Sequence, residues 1–309
     1  MQKNYSGPVR IAHRGVVQAA PENTLGAFEA AFNQGYEGME IDVQLSRDNE
    51  IVVVHDYNLT RLTLGHPSKA CHSHIKDLDW EELSRVEIPY ANHLLDVDPP
   101  PTSKDEFLAV LPERQLGQEH GRSYVEALME EKRMAKLMRF SGFLEWFRGR
   151  EADARNAPAS RMLVEIEIKA PGMAKKIFDT IESFNAAANC IVFSGVRDYI
   201  DELQALAAKE GKPKGLRLGA NIRFLDDRVK KEISGMDLFE VGLNAGRCTV
   251  DDLLWLADHG VKAFSNLGDY PEWWRQICEM RFLGFKTNYA QAFTGWWHLN
   301  EPLGAKNHS

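Results

Sequence analysis

Four cysteines in 309 residues, Cys71, Cys190, Cys248 and Cys278, are too few and too scattered for a disulfide framework, and no two form a CxxC pair. They read as reduced thiols. Long apolar runs are also absent. The longest, such as Ile51-Val52-Val53-Val54, are strand-sized and far below the roughly 20 residues that a membrane helix requires. The opening MQKNYSGPVR holds no apolar leader region, so the expected location is cytoplasmic, with no transmembrane segment. Positive charge is not in excess. Lys and Arg number 37 against 45 Asp and Glu, a net charge of −8, which argues against a nucleic-acid partner. No G-x-G-x-x-G is present, so no dinucleotide site is indicated. What remains is ordinary globular material, 44% hydrophobic and 27% charged, at a length that fits two domains or one large α/β barrel.

That material is rhythmic. Candidate strands begin near residues 9, 38, 163, 190, 215, 238, 262 and 285, and the last four intervals are about 23–25 residues, enough for one strand, one helix and two short loops. Helix punctuation falls between them. Thr249 to Asp252 makes a capping-box start ended by Gly260. Ile200, Leu203 and Ala207 mark a buried face before Gly211. Asn23 is expected to cap a helix bearing Leu25, Phe28, Ala31 and Phe32, and Asp269 to open one with Pro271 and Glu272 in its first turn. Ile51 to His55 reads as a hairpin-like return of the strand at 38–45. Eight βα units predict a TIM (β/α)8 barrel, one catalytic domain over 1–309, with an open doubly wound sheet as the alternative.

Residues 57–137 break the rhythm with a proline run (Pro99-Pro100-Pro101), a histidine-rich loop and helical patterns at 75–86 and 122–148. The expectation is an inserted helical or irregular region after the second-strand hairpin, beside or over the mouth of the barrel. Lys132, Arg133, Lys136 and Arg139 read as a solvated helix face rather than a lipid-binding one. His66, Cys71, His72 and His74 fit no established zinc spacing. Gly15 and Gly172 open helices and offer possible backbone donors to phosphate. Trp273, Trp274, Trp296 and Trp297 suit either a substrate mouth or packing, and the tail after Gly295 reads as loosely ordered.

Barrel active sites gather at the C-terminal ends of the strands. There the chain places His13-Arg14-Gly15, Glu40-Ile41-Asp42, His55-Asp56 and Glu165-Ile166-Glu167-Ile168-Lys169. Alternation sends Glu40 and Asp42 to one face of their strand, and Glu165, Glu167 and Lys169 to one face of theirs. Carboxylates inside a buried sheet are costly unless something positive binds them, and a hard divalent cation, Mg²⁺ or Ca²⁺, selects oxygen ligands. Two histidines beside it suit general acid–base work, while Arg14 and Lys169 suit an anionic substrate. A phosphodiester needs this combination.

The order His13-Arg14-Gly15, Pro21-Glu22-Asn23-Thr24, Glu40-Ile41-Asp42-Val43, Val54-His55-Asp56 and Ile166-Glu167-Ile168-Lys169 closely resembles the glycerophosphodiester phosphodiesterases. The resemblance implies a TIM barrel with an insertion after the His55 strand. It implies Glu40, Asp42 and Glu167 as ligands of one divalent cation, His13 and His55 as the acid–base pair, Arg14 and Lys169 as phosphate contacts, and Glu22 as a supporting carboxylate. The implied reaction turns a small-molecule glycerophosphodiester into an alcohol and glycerol 3-phosphate. Alternatives are a phospholipase D-like enzyme acting on a lysophospholipid or sphingolipid, and a catalytically silent barrel that binds a phosphorylated ligand. Three departures stand out. Thr287-Asn288-Tyr289-Ala290 replaces the family's Thr-Asp-x-Pro, Phe264-Ser265-Asn266-Leu267 replaces a tryptophan-led strand, and more than 100 residues separate His55 from Glu167. The headgroup and the oligomeric state are left open.

Overall fold

The computed structural model describes residues 7–90, 133–153 and 162–300. Eight parallel strands close on themselves: β1 (Val9–Ala12), β2 (Gly38–Leu45), β7 (Leu163–Ile168), β8 (Cys190–Ser194), β9 (Arg217–Asn221), β10 (Glu240–Leu243), β11 (Lys262–Leu267) and β12 (Gly284–Thr287). Strand β12 pairs with β1, and β1 pairs with β2, so no edge is left in this ring. The open-sheet alternative is thereby excluded, and each expected strand start falls within two residues of the observed one. The intervening helices are α1 (Leu25–Asn33), α5 (Ala174–Ser183), α6 (Arg197–Glu210), α7 (Asp227–Ile233), α8 (Val250–Asp258), α9 (Pro271–Glu279) and α10 (Ala290–Asn300). Their apolar faces cover the strands, with Phe28 and Ala31 of α1, Ile177 and Ile181 of α5 and Leu203 of α6 in one continuous core. A second core gathers Leu256, Trp274, Ile277 and Phe285.

Strand β1 meets β2 only through Gly38 and Met39. Past that contact β2 extends beyond the ring, where β3 (Ile51–Val53) runs antiparallel against Val43–Leu45. This return carries His55 back to the mouth, as the hairpin pattern anticipated. Strand β6 (Met138–Arg139) then pairs with β3 and leads into α4 (Phe140–Asp153).

Within 57–137, the described part holds two short α-helices, α2 (Lys69–His72) and α3 (Trp80–Ser84), a 3-10 turn at Ile75–Asp77, and a two-stranded sheet of β4 (Glu87–Pro89) with β5 (Met134–Lys136). Its own apolar core of Leu59, Leu62, Ile75, Leu83, Ile88 and Leu137 seats on Val52 and Val54 of the return strand. The segment at 133–139 is therefore strand, not the expected helix, and helix begins only at Phe140. Lys132, the proline run and residues 301–309 lie outside the described residues. The tail expectation also changes, because α10 continues through Gly295 to Asn300 with Trp296 and Trp297 against Phe293. No described helix is long and apolar enough to cross a membrane.

Candidate active site

The turn after β1 sets the first two site residues. Arg14 (φ 58°) and Gly15 (φ 83°) both take left-handed backbone, which turns the chain back on itself directly after His13. A side chain at Gly15 would lie 2.7 Å from the Ala27 backbone, so this turn demands glycine. The Gly15 N–H is engaged by Ala12 O, and Gly172 N donates to Glu202 Oε2, so neither is a free donor for phosphate.

Register fixes the carboxylates. Glu40 lies level with Glu165, and Asp42 with Glu167. One carboxylate oxygen from each of Glu40, Asp42 and Glu167 falls within 4.8 Å of the others, a separation that one cation would span. Glu165 points into a different arrangement. It is ion-paired with Lys286, which reaches across the barrel interior over the Phe193 ring. Burial alone would lower the Lys286 ammonium, but Glu165 and Glu240 hold it above the usual lysine range.

Charges around the cluster are arranged unequally. Arg14 Nε lies 3.2 Å from Asp42 Oδ2, and Lys169 Nζ lies 3.3 Å from Asp42 Oδ1 and 2.9 Å from Glu167 Oε1. Burial would raise the Asp42 carboxyl, yet Arg14 and Lys169 keep it well below the usual range. Glu40 goes the other way. Burial and then the charges of Asp42 and Glu167 push its carboxyl well above normal. Its Oε2 accepts from Arg14 N, while its fully buried Oε1 has no partner among the described residues. Such an orphaned oxygen among three crowded carboxylates is what a divalent cation would satisfy, so the donor set fits one.

The histidines flank this cluster with different neighbours. His13 Nδ1 lies 3.0 Å from Asn288 Oδ1, and burial followed by the charge of Arg14 pushes its imidazolium down to about 3. His55 Nδ1 lies 2.7 Å from Asp56 Oδ1. Arg61 holds Asp56 through Nε at 2.7 Å and grips both oxygens of Glu22 at 2.7–2.8 Å. Glu22 also pairs with Arg14 at 3.0 Å; burial opposes its ionisation, but the two arginines bring it down to about 2. Glu22, His55 and Asp56 also converge as a group, but Arg61 fills the space between two of them. The His66, Cys71, His72 and His74 set forms no such cluster among the described residues.

A comparison with protein-family models matches residues 13–209 to the glycerophosphoryl diester phosphodiesterase family. The chain belongs to that family. A glycerophosphodiester phosphodiesterase of Caldanaerobacter subterraneus is 40% identical over 77 residues, 25% of this chain and 29% of that one. The chain thus matches under a third of that relative's length. In solved structures, a candidate glycerophosphoryl diester phosphodiesterase of Silicibacter pomeroyi superposes with TM-score 0.71 at 14% identity, covering 97% of this chain and 96% of the other. An Oleispira antarctica phosphodiesterase, solved with the product sn-glycerol-3-phosphate, gives 0.63 at 17% identity, covering 93% and 96%. These structures establish the shared barrel.

All eight residues singled out from the sequence of this family member, His13, Arg14, Glu22, Glu40, Asp42, His55, Glu167 and Lys169, meet at one end of the barrel. Several of their partners were missed. Asn23 does not cap α1. It sits in left-handed backbone (φ 57°), donates from Nδ2 to Asp42 Oδ2 at 2.9 Å and accepts from Asp42 N, while Thr24 takes the cap position. Asp269 is not a helix opener either; Tyr270 precedes α9, and the Asp269 carboxylate faces Thr287 and Asn288. Asp56, already marked beside His55 in the sequence, accepts from that ring, and Arg61 completes the set. The Arg61 signal was faint, since its other partner, Glu22, lies 39 residues away.

Proposed function

We propose that this barrel hydrolyses glycerophosphodiesters, releasing an alcohol and glycerol 3-phosphate, with one divalent cation, Mg²⁺ or Ca²⁺, held by Glu40, Asp42 and Glu167. The observation that carries the reading is the unpartnered, fully buried Glu40 Oε1 within a carboxylate cluster flanked by two oriented imidazoles. When bound, the cation would stabilise negative charge on the phosphoryl oxygens. Arg14 and Lys169, now leaning on Asp42 and Glu167, would turn part of their charge to the substrate phosphate. Glu22 and Arg61 hold Arg14 and Asp56 in place, so the phosphate meets a fixed frame. His13 and His55 would move protons to and from the attacking and leaving oxygens.

The test is turnover of sn-glycero-3-phosphocholine by the wild type, His13→Ala and His55→Ala. The wild type should release glycerol 3-phosphate, and each variant should lose about 10²–10⁴ in kcat while still binding metal. Near-normal kcat in both variants would overturn the paired-histidine mechanism.

A second reading has its own observation. Tyr57, Val196 and Phe224, each just beyond the C-terminal end of β3, β8 or β9, expose 59%, 42% and 47% of their surface. Apolar side chains on that rim suit a substrate whose phosphate-bearing half carries an acyl chain. Faster turnover of lysophosphatidylcholine than of glycerophosphocholine would favour this phospholipase D-like activity.

A further inference from the structure

Asp269 is fully buried in the loop between β11 and α9 and takes no part in the steps above. Its Oδ1 accepts from Thr287 Oγ1 and Asn288 N, each at 2.8 Å, and its Oδ2 accepts from Asn288 Nδ2 at 2.7 Å. An ionised carboxylate can only accept hydrogen bonds. It therefore fixes which way the Asn288 amide points, with the NH₂ toward Asp269 and Oδ1 toward His13. Gln18 Nε2 donates to Asn288 O and pins the backbone of the same residue.

We propose that Asp269 and Asn288 are positioning residues that hold His13 as the Nδ1–H tautomer, leaving Nε2 as the proton acceptor at the reaction centre. The amide oxygen accepts and cannot donate, so the hydrogen of a neutral His13 ring must lie on Nδ1, 3.0 Å away. The opposite ring edge then presents a lone pair. A neutral amide also stabilises an imidazolium less than a carboxylate does, in line with the depressed His13. His55 has the contrary arrangement, with Asp56 directly on Nδ1 and Arg61 behind it. The asymmetry makes His13 the base and His55 the acid. The Asn288 departure from the family pattern thus becomes a relay, with the carboxylate supplied by Asp269 from the preceding loop, one hydrogen bond behind the amide. The inference rests on the phosphodiesterase reading, which gives His13 a proton to move.

The test is the tautomer itself. Long-range ¹H–¹⁵N correlation of ¹⁵N-histidine-labelled protein at pH 7 should show His13 neutral with its hydrogen on Nδ1. Asp269→Ala frees the amide to turn and should mix the two tautomers, lowering kcat about tenfold at unchanged KM. Thr287→Val removes a bond to the same carboxylate but leaves the relay, so tautomer and kcat should stay within twofold of the wild type. A wild-type His13 with its hydrogen on Nε2 would overturn the proposal, even if Asp269→Ala failed to fold. So would equal losses in Asp269→Ala and Thr287→Val, the mark of a merely structural bolt. Absence of diester turnover in the wild type would instead overturn the functional reading, while the tautomer still decides the relay.

Discussion

Glu165 and Glu167 stand two residues apart on the same face of β7, and their surroundings give them opposite tasks. Glu165 is fully buried against Lys286, whereas Glu167 is partly exposed beside Lys169 and converges with Glu40 and Asp42. Glu167→Gln should therefore weaken Mg²⁺ or Ca²⁺ binding in calorimetric titration at least tenfold while hardly changing the unfolding midpoint. Glu165→Gln should do the reverse. It strips a buried ammonium of its ion-pair partner and leaves Glu240 to offset the charge, at a cost of about 3 kcal/mol in denaturant unfolding, with metal affinity nearly unchanged. Equal effects of both variants on metal binding would show that the ligand set has been drawn wrongly. His13 adds a titration of its own. Its folded value of about 3 lies below the ordinary 6.5, so above pH 6.5 the ring is neutral in both states and its full contribution is present. Between pH 6.5 and 3 the unfolded chain takes up a proton that the folded ring refuses, and stability falls as pH falls. The stability gap between wild type and His13→Asn should narrow by about 1.4 kcal/mol per pH unit across that window. A gap independent of pH would mean that the folded ring protonates normally.

The elements that position these residues differ in how plainly the sequence announces them. Barrel strands are legible because each is a short apolar run at a regular spacing, and the α8 start is legible because Thr249 and Asp252 cap each other locally. The segment at 133–139 misleads because Arg133, Lys136 and Arg139 fall at helical spacing, while strands of three and two residues are too short to show a period. Asn23 and Asp269 mislead for another reason. Both have the chemistry of a helix cap, but tertiary partners, Asp42 and Asn288, claim their side chains. The residues that converge at the mouth were legible because binding a metal, holding a phosphate and moving a proton each call for a narrow set of side chains. Arg61 and Asp269 act only through Glu22, Asp56 and Asn288, contacts that no local pattern encodes. The β1–α1 turn is sharply specified. Gly15→Ala must accommodate both a left-handed backbone and a Cβ 2.7 Å from Ala27. A loss of at least about 2 kcal/mol is expected in chemical denaturation. Gly35→Ala is the control, with φ 72° and nothing within 4 Å of the new methyl, and should cost about 1 kcal/mol. Similar losses at both sites would mean that the close approach of α1 to the turn does not constrain it.

Taken as a whole, the molecule keeps two charge systems apart inside one barrel. The interior pair of Glu165 and Lys286 is neutralised within the protein, whereas the three carboxylates at the mouth leave Glu40 strained by its neighbours and one of its oxygens without a partner among the described residues. The proposed phosphodiester hydrolysis requires a cation to complete the mouth, because the crowded carboxylates would otherwise repel an anionic substrate. Release of glycerol 3-phosphate from sn-glycero-3-phosphocholine, followed by ³¹P NMR, is the direct measurement. After exhaustive chelation with EDTA the wild type should release none, and added Mg²⁺ or Ca²⁺ should restore turnover in the wild type but not in Glu40→Gln. Undiminished glycerol 3-phosphate release by the chelated protein would contradict the account.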